Sequence, residues 1–374
     1  MCYNVIVFQK GGLPLQRTTG AETYSQEIDI KNTHKLRELS SKLPRFCRQY
    51  FRGIADNTST RTRVAYAHDL MVFFEYLHAN NPECARMAIP DFPLSLLDQL
   101  TKTDLEEYMD YLSYYEKDGK VFTNDERGKA RKLSALRSMY KYFFTSEMID
   151  RDIAVLIRTP KLHEKAIIRL DQDEVVTLLD EVDSGDSLTK SQQKFHEKTK
   201  VRDTAILTLL LGTGIRVSEL VGIDLNDINF RENGVKVHRK GGYDAIVYFN
   251  DEVEEALKDY LAERHQIIPL DGHENALFLS LQNRRITVRA VEKLVKKYAQ
   301  LVTSLKKITP HKLRSTFGTS LYRETGDIYL VADVLGHKDV NTTRRHYAAI
   351  EEDRRKEAAS YVNLHRNESA GSQA

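Results

Sequence analysis

Apolar residues recur at three- and four-residue steps in one segment after another of this 374-residue chain. That spacing places them along one face of an α-helix, so the chain is constrained to pack helices by their apolar faces. Four such segments follow one another, at 43–54, 56–82, 101–115 and 126–149. The N-terminal part of the chain is therefore predicted to be an all-helical module of four or five helices.

The second half of the chain adds a short sheet to the helical pattern. Residues 201–215 carry an apolar helical pattern that Gly212 and Gly214 close, as glycines do at helix C-termini. Farther along, alternating apolar residues flank Gly241 and Gly242, which predicts a β-hairpin. The predicted fold class is mainly α with a small β-hairpin or sheet.

Shifts in composition divide the chain into segments. Residues 183–200 are almost without apolar residues and are predicted to form an exposed loop, whereas helical spacing continues from Asp251 to about Arg366. The predicted order is an N-terminal appendage of unknown role without a long periodic element (1–35), a helical domain (36–160), a linker that follows Pro160 (161–168), a second domain (169–366) and a disordered tail (367–374).

Charge and cysteine content exclude several classes of protein. The formal net charge is +2, so composition alone does not indicate a nucleic-acid partner. Cys2, Cys47 and Cys84 are scattered singly, which predicts neither a disulfide framework nor a paired-cysteine metal site. The sequence has no apolar run of about eighteen residues and no secretory signal pattern at its start. We therefore expect a cytoplasmic location.

Six residues in the second half could together handle one phosphate group. Arginines can hold its oxygens in a two-pronged grip, histidines can exchange protons near neutral pH, and a tyrosine hydroxyl can attack as a nucleophile. Each residue alone is more often a surface or core residue, so the prediction rests on the combination. In chain order the residues are Arg216, Lys240, His311, Arg314, His337 and Tyr347.

Basic residues also crowd the fourth helical segment of the N-terminal module, around its apolar face. They form either a solvated basic face or a surface that contacts DNA phosphates. We take the second interpretation and add two arginines from the start of the second helical segment. The predicted DNA-binding residues are Arg61, Arg63, Lys129, Arg131, Lys132, Arg137 and Lys141.

These motifs resemble those of the tyrosine site-specific recombinases, the phage integrase family, in an Xer- or integrase-like form. The resemblance covers roughly residues 40 to 362 and includes LLLGTGIRVSEL, TPHKLRSTFGTSL and LGH, as well as KLSALRSMYKYFF in the N-terminal module. It implies a helical core-binding domain of SAM-like type and a mixed, mostly helical catalytic domain. In the family these two domains clamp DNA from opposite sides.

The resemblance also implies a role for each candidate residue. Arg216 and Arg314 match the arginines that hold the nonbridging oxygens of the scissile phosphate. Lys240 matches a general acid for the departing 5′-oxygen, and His311 and His337 match residues that assist proton transfer and position the phosphate. Tyr347 matches the nucleophile that forms a 3′-phosphotyrosyl link. No ATP is expected, because the link stores the energy of the phosphodiester. No metal or other cofactor is expected either, because two arginines and a lysine supply the positive charge that metal ions provide elsewhere.

The chain departs from the family pattern at the nucleophile. Many members place the tyrosine one residue earlier after the LGH histidine, where this chain has His346. One residue is a rotation of about 100° on a helix, so the backbone would have to re-aim the Tyr347 hydroxyl. Tyr361 is the alternative nucleophile, and Tyr329 is predicted to be a core residue.

The family resemblance further implies partners and an assembly. The expected partners are double-stranded recombination sites and three further copies of the chain in a synaptic tetramer, with a segment from Glu352 onward docking into a neighbouring subunit. In a prokaryotic host the protein would be nucleoid-associated. Integration, excision, inversion and resolution all remain open. Two alternative functions are a relaxing enzyme of the type IB topoisomerase kind and a non-catalytic DNA-binding regulator.

Overall fold

The computed structural model describes residues 23–161, 163, 168–239, 242–337 and 340. The chain divides into two compact units, Met1–Glu164 and Lys165–Ala374. Helices dominate the described part of both units, as the spacing of apolar residues predicts. No described helix combines the length and the apolar composition that a membrane crossing requires.

The first unit is built from helices packed around an aromatic core. Phe73, Tyr108 and Phe143 are fully buried, and the Phe73 and Tyr108 rings meet edge-on with centroids 5.0 Å apart. Burying large rings of this kind contributes a major part of the stability of a small helical unit. The helices are α1 (Tyr24–Lys42), α2 (Cys47–Gly53), α3 (Thr60–Asn80), α4 (Leu96–Gln99), α5 (Lys102–Tyr111) and α6 (Glu126–Thr145).

Side chains that bind free backbone N–H groups begin several of these helices, among them α3 and α5. The Thr62 N–H donates to Ser59 Oγ at 3.2 Å at the start of α3. At α5 the Asp104 carboxylate accepts from the Thr101 N–H at 2.7 Å, and the Asp104 N–H donates back to Thr101 Oγ1. Such reciprocal bonds satisfy donors that the first helical turn leaves open.

Helix α1 begins inside the segment 1–35, where we predicted no long periodic element, and its 19 residues show that this expectation is wrong. Thr23 caps the helix, with the Thr23 N–H bonded to Gln26 Oε1 at 2.8 Å. Of the α1 side chains, only Leu36, Leu39 and Ser40 are buried. Because the first part of α1 buries no apolar side chain, its sequence lacks the apolar spacing by which a helix is identified.

A β-hairpin in the first unit was not predicted. Strands β1 (Tyr114–Lys117) and β2 (Lys120–Thr123) pair antiparallel, with Lys117 opposite Lys120. Asp118 and Gly119 form the two-residue turn, and both have positive φ, at 52° and 68°. An Asp-Gly pair between alternating apolar residues is a strong hairpin signal, and it was present in the sequence.

The second unit combines a three-stranded antiparallel sheet with helices. The sheet has the order β3 (Ile228–Asn229), β4 (Gly234–Arg239) and β5 (Tyr243–Tyr248), and Arg239 lies opposite Tyr243 at the end of the β4–β5 pair. This pairing confirms the predicted hairpin, and β3 extends it. The helices are α7 (Gln172–Ser184), α8 (Lys190–His196), α9 (Lys200–Thr213), α10 (Val217–Gly222), α11 (Asp251–Arg264), α12 (Val288–Val302), α13 (Pro310–Thr325) and α14 (Ile328–Leu335).

Two other predictions for this unit are wrong. Residues 183–200 are not a plain exposed loop, because they contain α8, whose His196 is buried and bonded to the Tyr298 hydroxyl at 3.0 Å. Helical structure also does not continue unbroken from Asp251, because residues 265–287 are irregular between α11 and α12. Pro269 lies in that segment, where its ring would remove a helical hydrogen bond.

Candidate active site

Helix α9 ends at a glycine, Gly214, where the neighbouring helix α13 leaves no room for a side chain. Gly214 has φ of 63°, in the left-handed region, and its N–H donates to Leu210 O at 3.1 Å. A Cβ atom at Gly214 would overlap the Phe317 ring of α13. Both the backbone conformation and the available space therefore favour glycine, and the turn leads directly into Arg216.

Arg216 is fixed by a buried carboxylate. It is the residue before α10, and its backbone N–H donates to Glu219 Oε2 at 2.8 Å while its Nη1 donates to Glu219 Oε1 at 2.7 Å. Glu219 is only 4% exposed. A third bond, from Arg216 Nη2 to Gly336 O at 3.4 Å, directs the guanidinium toward the end of α14. The Arg216 side chain keeps 31% of its surface exposed, so a ligand could reach it.

Arg314 reaches the same helix end from α13. Pro310 occupies the first turn of α13, where a missing N–H costs no hydrogen bond. Arg314 lies one turn farther along and is buried, with 5% exposure. Its Nη1 donates to Gly214 O at 2.6 Å and its Nη2 donates to Leu335 O. These two bonds hold the plane of the guanidinium between the end of α9 and the end of α14.

Helix α14 ends in a Schellman motif formed by the LGH residues. Gly336 has φ of 61°, its N–H donates to Asp333 O at 2.8 Å, and the His337 N–H donates to Ala332 O at 2.9 Å. This pair of bonds is the signature of that C-cap, which a residue with positive φ makes possible. His337 is thereby fixed directly after the helix and is half-buried.

Main-chain carbonyl groups at the end of α14 accept hydrogen bonds from three arginines. Arg239, the last residue of β4, donates to Asp333 O at 3.4 Å and to Val334 O at 2.9 Å. Arg314 binds the next carbonyl, of Leu335, and Arg216 the one after it, of Gly336. The C-terminal end of a helix carries partial negative charge, so it stabilises the guanidinium groups. The result is a concentration of positive charge beside His337.

The structure therefore brings together three of the six candidate residues and places a fourth, His311, on the same helix as Arg314. Arg216, Arg314 and His337 meet at the end of α14, and His311 lies exposed on the first turn of α13, three residues before Arg314. Residues three apart on a helix are neighbours on its surface. Lys240, Tyr347 and the alternative nucleophile Tyr361 lie outside the described residues.

Tyr329 does not lie in the core, and our prediction for it is wrong. Its side chain is 71% exposed. The buried residues of α14 are Val331, Ala332 and Leu335, which form one stripe along the helix, and Tyr329 projects away from that stripe.

Two residues that shape this site, Glu219 and Arg239, were not predicted from the sequence. Glu219 carries a signal that could have been recognised, because an acidic residue three positions after a helix N-cap is typical of a capping box. Arg239 carries no such signal, since a basic residue before a hairpin turn is most often exposed. Only the packing of β4 against the end of α14 reveals that Arg239 is buried, with 8% exposure.

The predicted DNA-binding residues of the first unit differ in exposure. Arg61 and Lys141 are exposed, Arg63 is half-buried, and Lys129 is half-buried with its Nζ bonded to Ser113 Oγ at 2.6 Å. Arg131 is exposed but bound to the buried carboxylate of Asp69 at 2.6 Å.

Lys132 does not lie on the polar surface of α6 as predicted. It is buried, with its Nζ bonded to Asn124 Oδ1 at 2.6 Å, and burial lowers the pKa of its ammonium group. Arg137 is half-buried and donates to Ile157 O and to Thr159 Oγ1 at 2.7 Å. The basic residues of α6 therefore serve the fold of their own unit to different degrees.

Within the described part of the chain no group of three histidine, cysteine, aspartate or glutamate side chains is arranged to hold a metal ion. Positive charge in the site comes instead from guanidinium groups. A guanidinium group is a delocalised cation with donors in a fixed planar geometry. Fixed cationic donors around one helix end, beside a histidine, define a site for a phosphodiester or another oxyanion.

Comparison with known proteins identifies the family. Residues 168–354 match the phage integrase family. The tyrosine recombinase XerC of Caldanaerobacter subterraneus subsp. tengcongensis is 32% identical over 313 residues, which are 81% of each chain. The tyrosine recombinase XerS of Lactococcus lactis subsp. cremoris strain SK11 is 32% identical over 354 residues, which are 87% of this chain and 97% of the relative.

Solved structures show the same fold. The XerH site-specific recombinase bound to a palindromic difH substrate superimposes with a TM-score of 0.60 over 92% of this chain and 98% of that chain, at 18% identity. A lambda integrase dimer bound to a COC′ core site gives a TM-score of 0.56 over 80% and 93%, at 16% identity. The fold and site define a protein that acts on phosphodiesters.

The chain belongs to the phage integrase family, the tyrosine site-specific recombinases. The family membership and the mostly helical fold class expected from the sequence are both confirmed.

Proposed function

We propose that this protein is a site-specific DNA recombinase that cleaves and rejoins strands through a 3′-phosphotyrosyl intermediate on Tyr347. The observation that carries the proposal is the convergence of Arg216 and Arg314 on adjacent carbonyls beside His337. The relatives support it, since they are named as tyrosine recombinases of the XerC and XerS types.

The proposed reaction is a pair of balanced transesterifications. The Tyr347 hydroxyl gives up its proton to a histidine of the site, His311 or His337, as its oxygen attacks the scissile phosphorus, so that a bond from phosphorus to tyrosine forms and the bond to the 5′-oxygen breaks. The departing 5′-oxygen takes a proton from Lys240. Rejoining reverses these steps with a 5′-hydroxyl from another strand. No ATP is consumed, because the number of phosphodiester-type bonds does not change.

The arginines act in the proposal by stabilising charge. Negative charge builds on the nonbridging oxygens as the pentavalent transition state forms, and Arg216 and Arg314 donate to those oxygens. Because Arg314 is buried and Arg216 is held by the buried Glu219, neither guanidinium has to reorganise when the charge appears. His311 and His337 assist proton transfer and position the phosphate. With cations already fixed there, the reaction needs no metal ion.

The two units divide the work in this proposal. The segment 36–160 holds duplex DNA as a core-binding domain, the segment 169–366 carries the chemistry, and 161–168 links them. Exposed basic side chains of the first unit, such as Arg61 and Lys141, contact phosphates, and Arg131 does so in addition to binding Asp69. Lys129, Lys132 and Arg137 are less exposed and bind groups of their own unit, and Arg63 is half-buried.

The proposed assembly is a tetramer on two recombination sites, in the cytoplasm of a prokaryotic host where the chromosome lies. The segment from Glu352 onward docks into a neighbouring subunit. Deleting residues 352–374 should leave a protein that binds one DNA site but fails to pair two sites. Unchanged tetramer formation on DNA, measured by light scattering, would reject the docking role.

Capture of the covalent intermediate tests the function. The protein is incubated with fragmented DNA from its source organism, the mixture is denatured, and protein-linked DNA is recovered and sequenced. We expect one defined sequence joined by its 3′-phosphate to Tyr347, and no linked DNA with Tyr347→Phe. Adducts that persist in Tyr347→Phe but vanish in Tyr361→Phe would move the nucleophile to Tyr361.

Two outcomes would favour the alternative functions. Relaxation of a supercoiled plasmid that lacks the captured sequence would indicate a topoisomerase-like enzyme. Specific DNA binding with no adduct from any variant would indicate a non-catalytic regulator.

A further inference from the structure

Arg239 is a buried cation whose described partners are main-chain carbonyls. It is 8% exposed, and its guanidinium donates to Asp333 O at 3.4 Å and Val334 O at 2.9 Å. Its Nε is buried and finds no partner among the described residues. Burying a charge is costly unless it is compensated, and here the compensation comes from the negative end of α14. So costly an arrangement calls for an explanation.

The contact between Arg239 and α14 also constrains Gly336. A Cβ atom at Gly336 would overlap Arg239 Nη1, and the left-handed φ of 61° independently favours glycine. The LGH glycine therefore makes room for this particular arginine as well as for the C-cap. Strand β4 and the end of α14 are fitted to one another at this point.

Two segments that carry candidate residues are joined by this contact. Arg239 ends β4 and immediately precedes Lys240 in the chain. The carbonyls that it binds are those of the last turn of α14, which leads into His337 through Gly336. The same turn receives Arg314 and Arg216.

We propose that Arg239 is a positioning residue for strand cleavage, which ties the end of β4, and with it Lys240, to the helix end that holds the two arginines and His337. This inference rests on the proposed function. Arg239 acts through its neighbours: without it, the strand that leads into Lys240 is no longer held against the phosphate site. Proton delivery to the leaving 5′-oxygen then suffers most.

Arg264 provides a matched control for a purely structural role. It is a buried arginine of the same unit, 3% exposed, and it too donates to backbone carbonyls, at 2.8 Å to Glu274 O and 3.0 Å to Ala276 O. Neither carbonyl belongs to the candidate site. Arg264→Ala should therefore lower stability by an amount comparable to Arg239→Ala without a specific effect on leaving-group protonation.

A sulfur-substituted DNA separates positioning from folding. In a 5′-bridging phosphorothiolate the leaving atom is sulfur, and a thiol has a pKa near 8.5, so the thiolate departs without a proton from a general acid. The bond from phosphorus to sulfur breaks as the bond to Tyr347 forms, and no further reactant is needed. A variant that has lost proton delivery is restored by this DNA, whereas a variant that has lost its fold is not.

The experiment measures single-turnover cleavage of the captured recombination site, with oxygen or sulfur at the 5′-bridging position. We expect Arg239→Ala to cleave the oxygen duplex about a hundredfold more slowly than wild type, in the range of a lost general acid, and the sulfur duplex at close to the wild-type rate. DNA affinity should be unchanged. Arg239→Lys should show a smaller loss with the same recovery, because lysine supplies a single point donor.

Other results overturn the inference. Wild-type rates for Arg239→Ala on the oxygen duplex, or equal losses on both duplexes as in a destabilised Arg264→Ala, would leave Arg239 with no positioning role. Thermal melting of each variant shows whether it is folded at the assay temperature. If wild type forms no adduct with either duplex, the proposed function itself fails. If wild type cleaves and Lys240→Ala recovers on sulfur but Arg239→Ala does not, only the inference fails.

Discussion

The arginines of the two units differ in how they come together. In the first unit Arg131 and Arg137 belong to one helix, α6, and bind groups of that unit: the Asp69 carboxylate, the Ile157 carbonyl and the Thr159 hydroxyl. A run of basic residues in a sequence therefore does not guarantee a row of exposed cations.

In the second unit Arg216, Arg239 and Arg314 come from three separate segments, yet they bind consecutive carbonyls at the end of one helix. Their spacing in the sequence gives no hint of this, because only the fold brings them together. Dispersed residues that converge define a site more sharply than clustered residues do. The following experiments separate the two kinds of arginine.

Replacing Arg314 should have the largest effect. Arg314→Ala removes a fixed cation from the phosphate and leaves the Gly214 and Leu335 carbonyls without their donor. We expect cleavage to slow by about a thousandfold, at the upper end of what one preorganised donor contributes. Single-turnover cleavage at saturating protein measures this loss. Arg264→Ala, tested below its melting temperature, should cleave at the wild-type rate, and equal losses in the two variants would contradict the comparison.

Replacing Glu219 tests whether the Arg216 guanidinium must be held. In Glu219→Gln one oxygen remains to accept from the Arg216 N–H or from Nη1, where the carboxylate accepts from both. A charge-assisted hydrogen bond is worth about 1.5–3 kcal/mol, so we expect a loss of about tenfold or more in the cleavage rate. DNA affinity should change little. A cleavage rate equal to wild type would mean that Glu219 serves only as a helix cap.

In the first unit, replacing Arg137 and replacing Lys141 of α6 should have different effects, the first on stability and the second on DNA binding. Arg137→Ala removes donors from the Ile157 carbonyl and Thr159, and we expect the free energy of unfolding to fall by about 1–3 kcal/mol.

Lys141→Ala changes an exposed side chain, so the free energy of unfolding should stay the same. The slope of log affinity against log salt concentration should become less steep by about 1. Urea unfolding and DNA titrations at several salt concentrations measure the two effects. An unchanged slope for Lys141→Ala would remove that residue from the DNA contact.

The smallest expected effect is a pH dependence from Asp69. Burial raises the pKa of this carboxyl, and Arg131 and Lys132 oppose the rise. A carboxyl whose folded pKa is raised stays protonated in the folded state after the unfolded chain has released its proton. Asp69 therefore contributes to the free energy of unfolding below the ordinary carboxyl pKa. This contribution is lost as the pH rises through the raised pKa of the folded state.

Arg131→Met should carry that loss to higher pH, because it removes the opposing charge. Urea unfolding across the acidic range measures the shift, with Asp69→Asn as the control that lacks the component. The same pH profile in wild type and Arg131→Met would show that Arg131 does not act on Asp69.

Much of the fold follows from local sequence, because caps and apolar spacing act over a few residues. The predicted hairpin, which β4 and β5 form, is an example. Helix α1 was not predicted because its first part buries no apolar side chain. Helix α8 was not predicted because its segment has few apolar residues. The burial of Lys132 depends on Asn124, which lies in a different segment.

The candidate residues came from motifs, and their convergence came from the fold. Spacing along the chain could name Arg216 and Arg314, but not that both bind the end of α14. Glu219 could have been found from its distance to Arg216, as part of a capping box. Arg239 could not, because its burial results from long-range packing of β4 on α14. Lys240 and Tyr347 remain predictions from the family resemblance.

A DNA whose scissile phosphate carries no charge tests whether the converging arginines act by neutralising the negative charge of that phosphate. In a methylphosphonate duplex one nonbridging oxygen of the captured site is replaced by a methyl group, so the phosphorus centre is neutral. We expect Arg216→Ala to cleave the phosphate about a hundredfold more slowly than wild type but the methylphosphonate nearly as fast as wild type does. Tyr347→Phe should cleave neither duplex. If Arg216→Ala is equally impaired on both duplexes, Arg216 does not act by neutralising the phosphate.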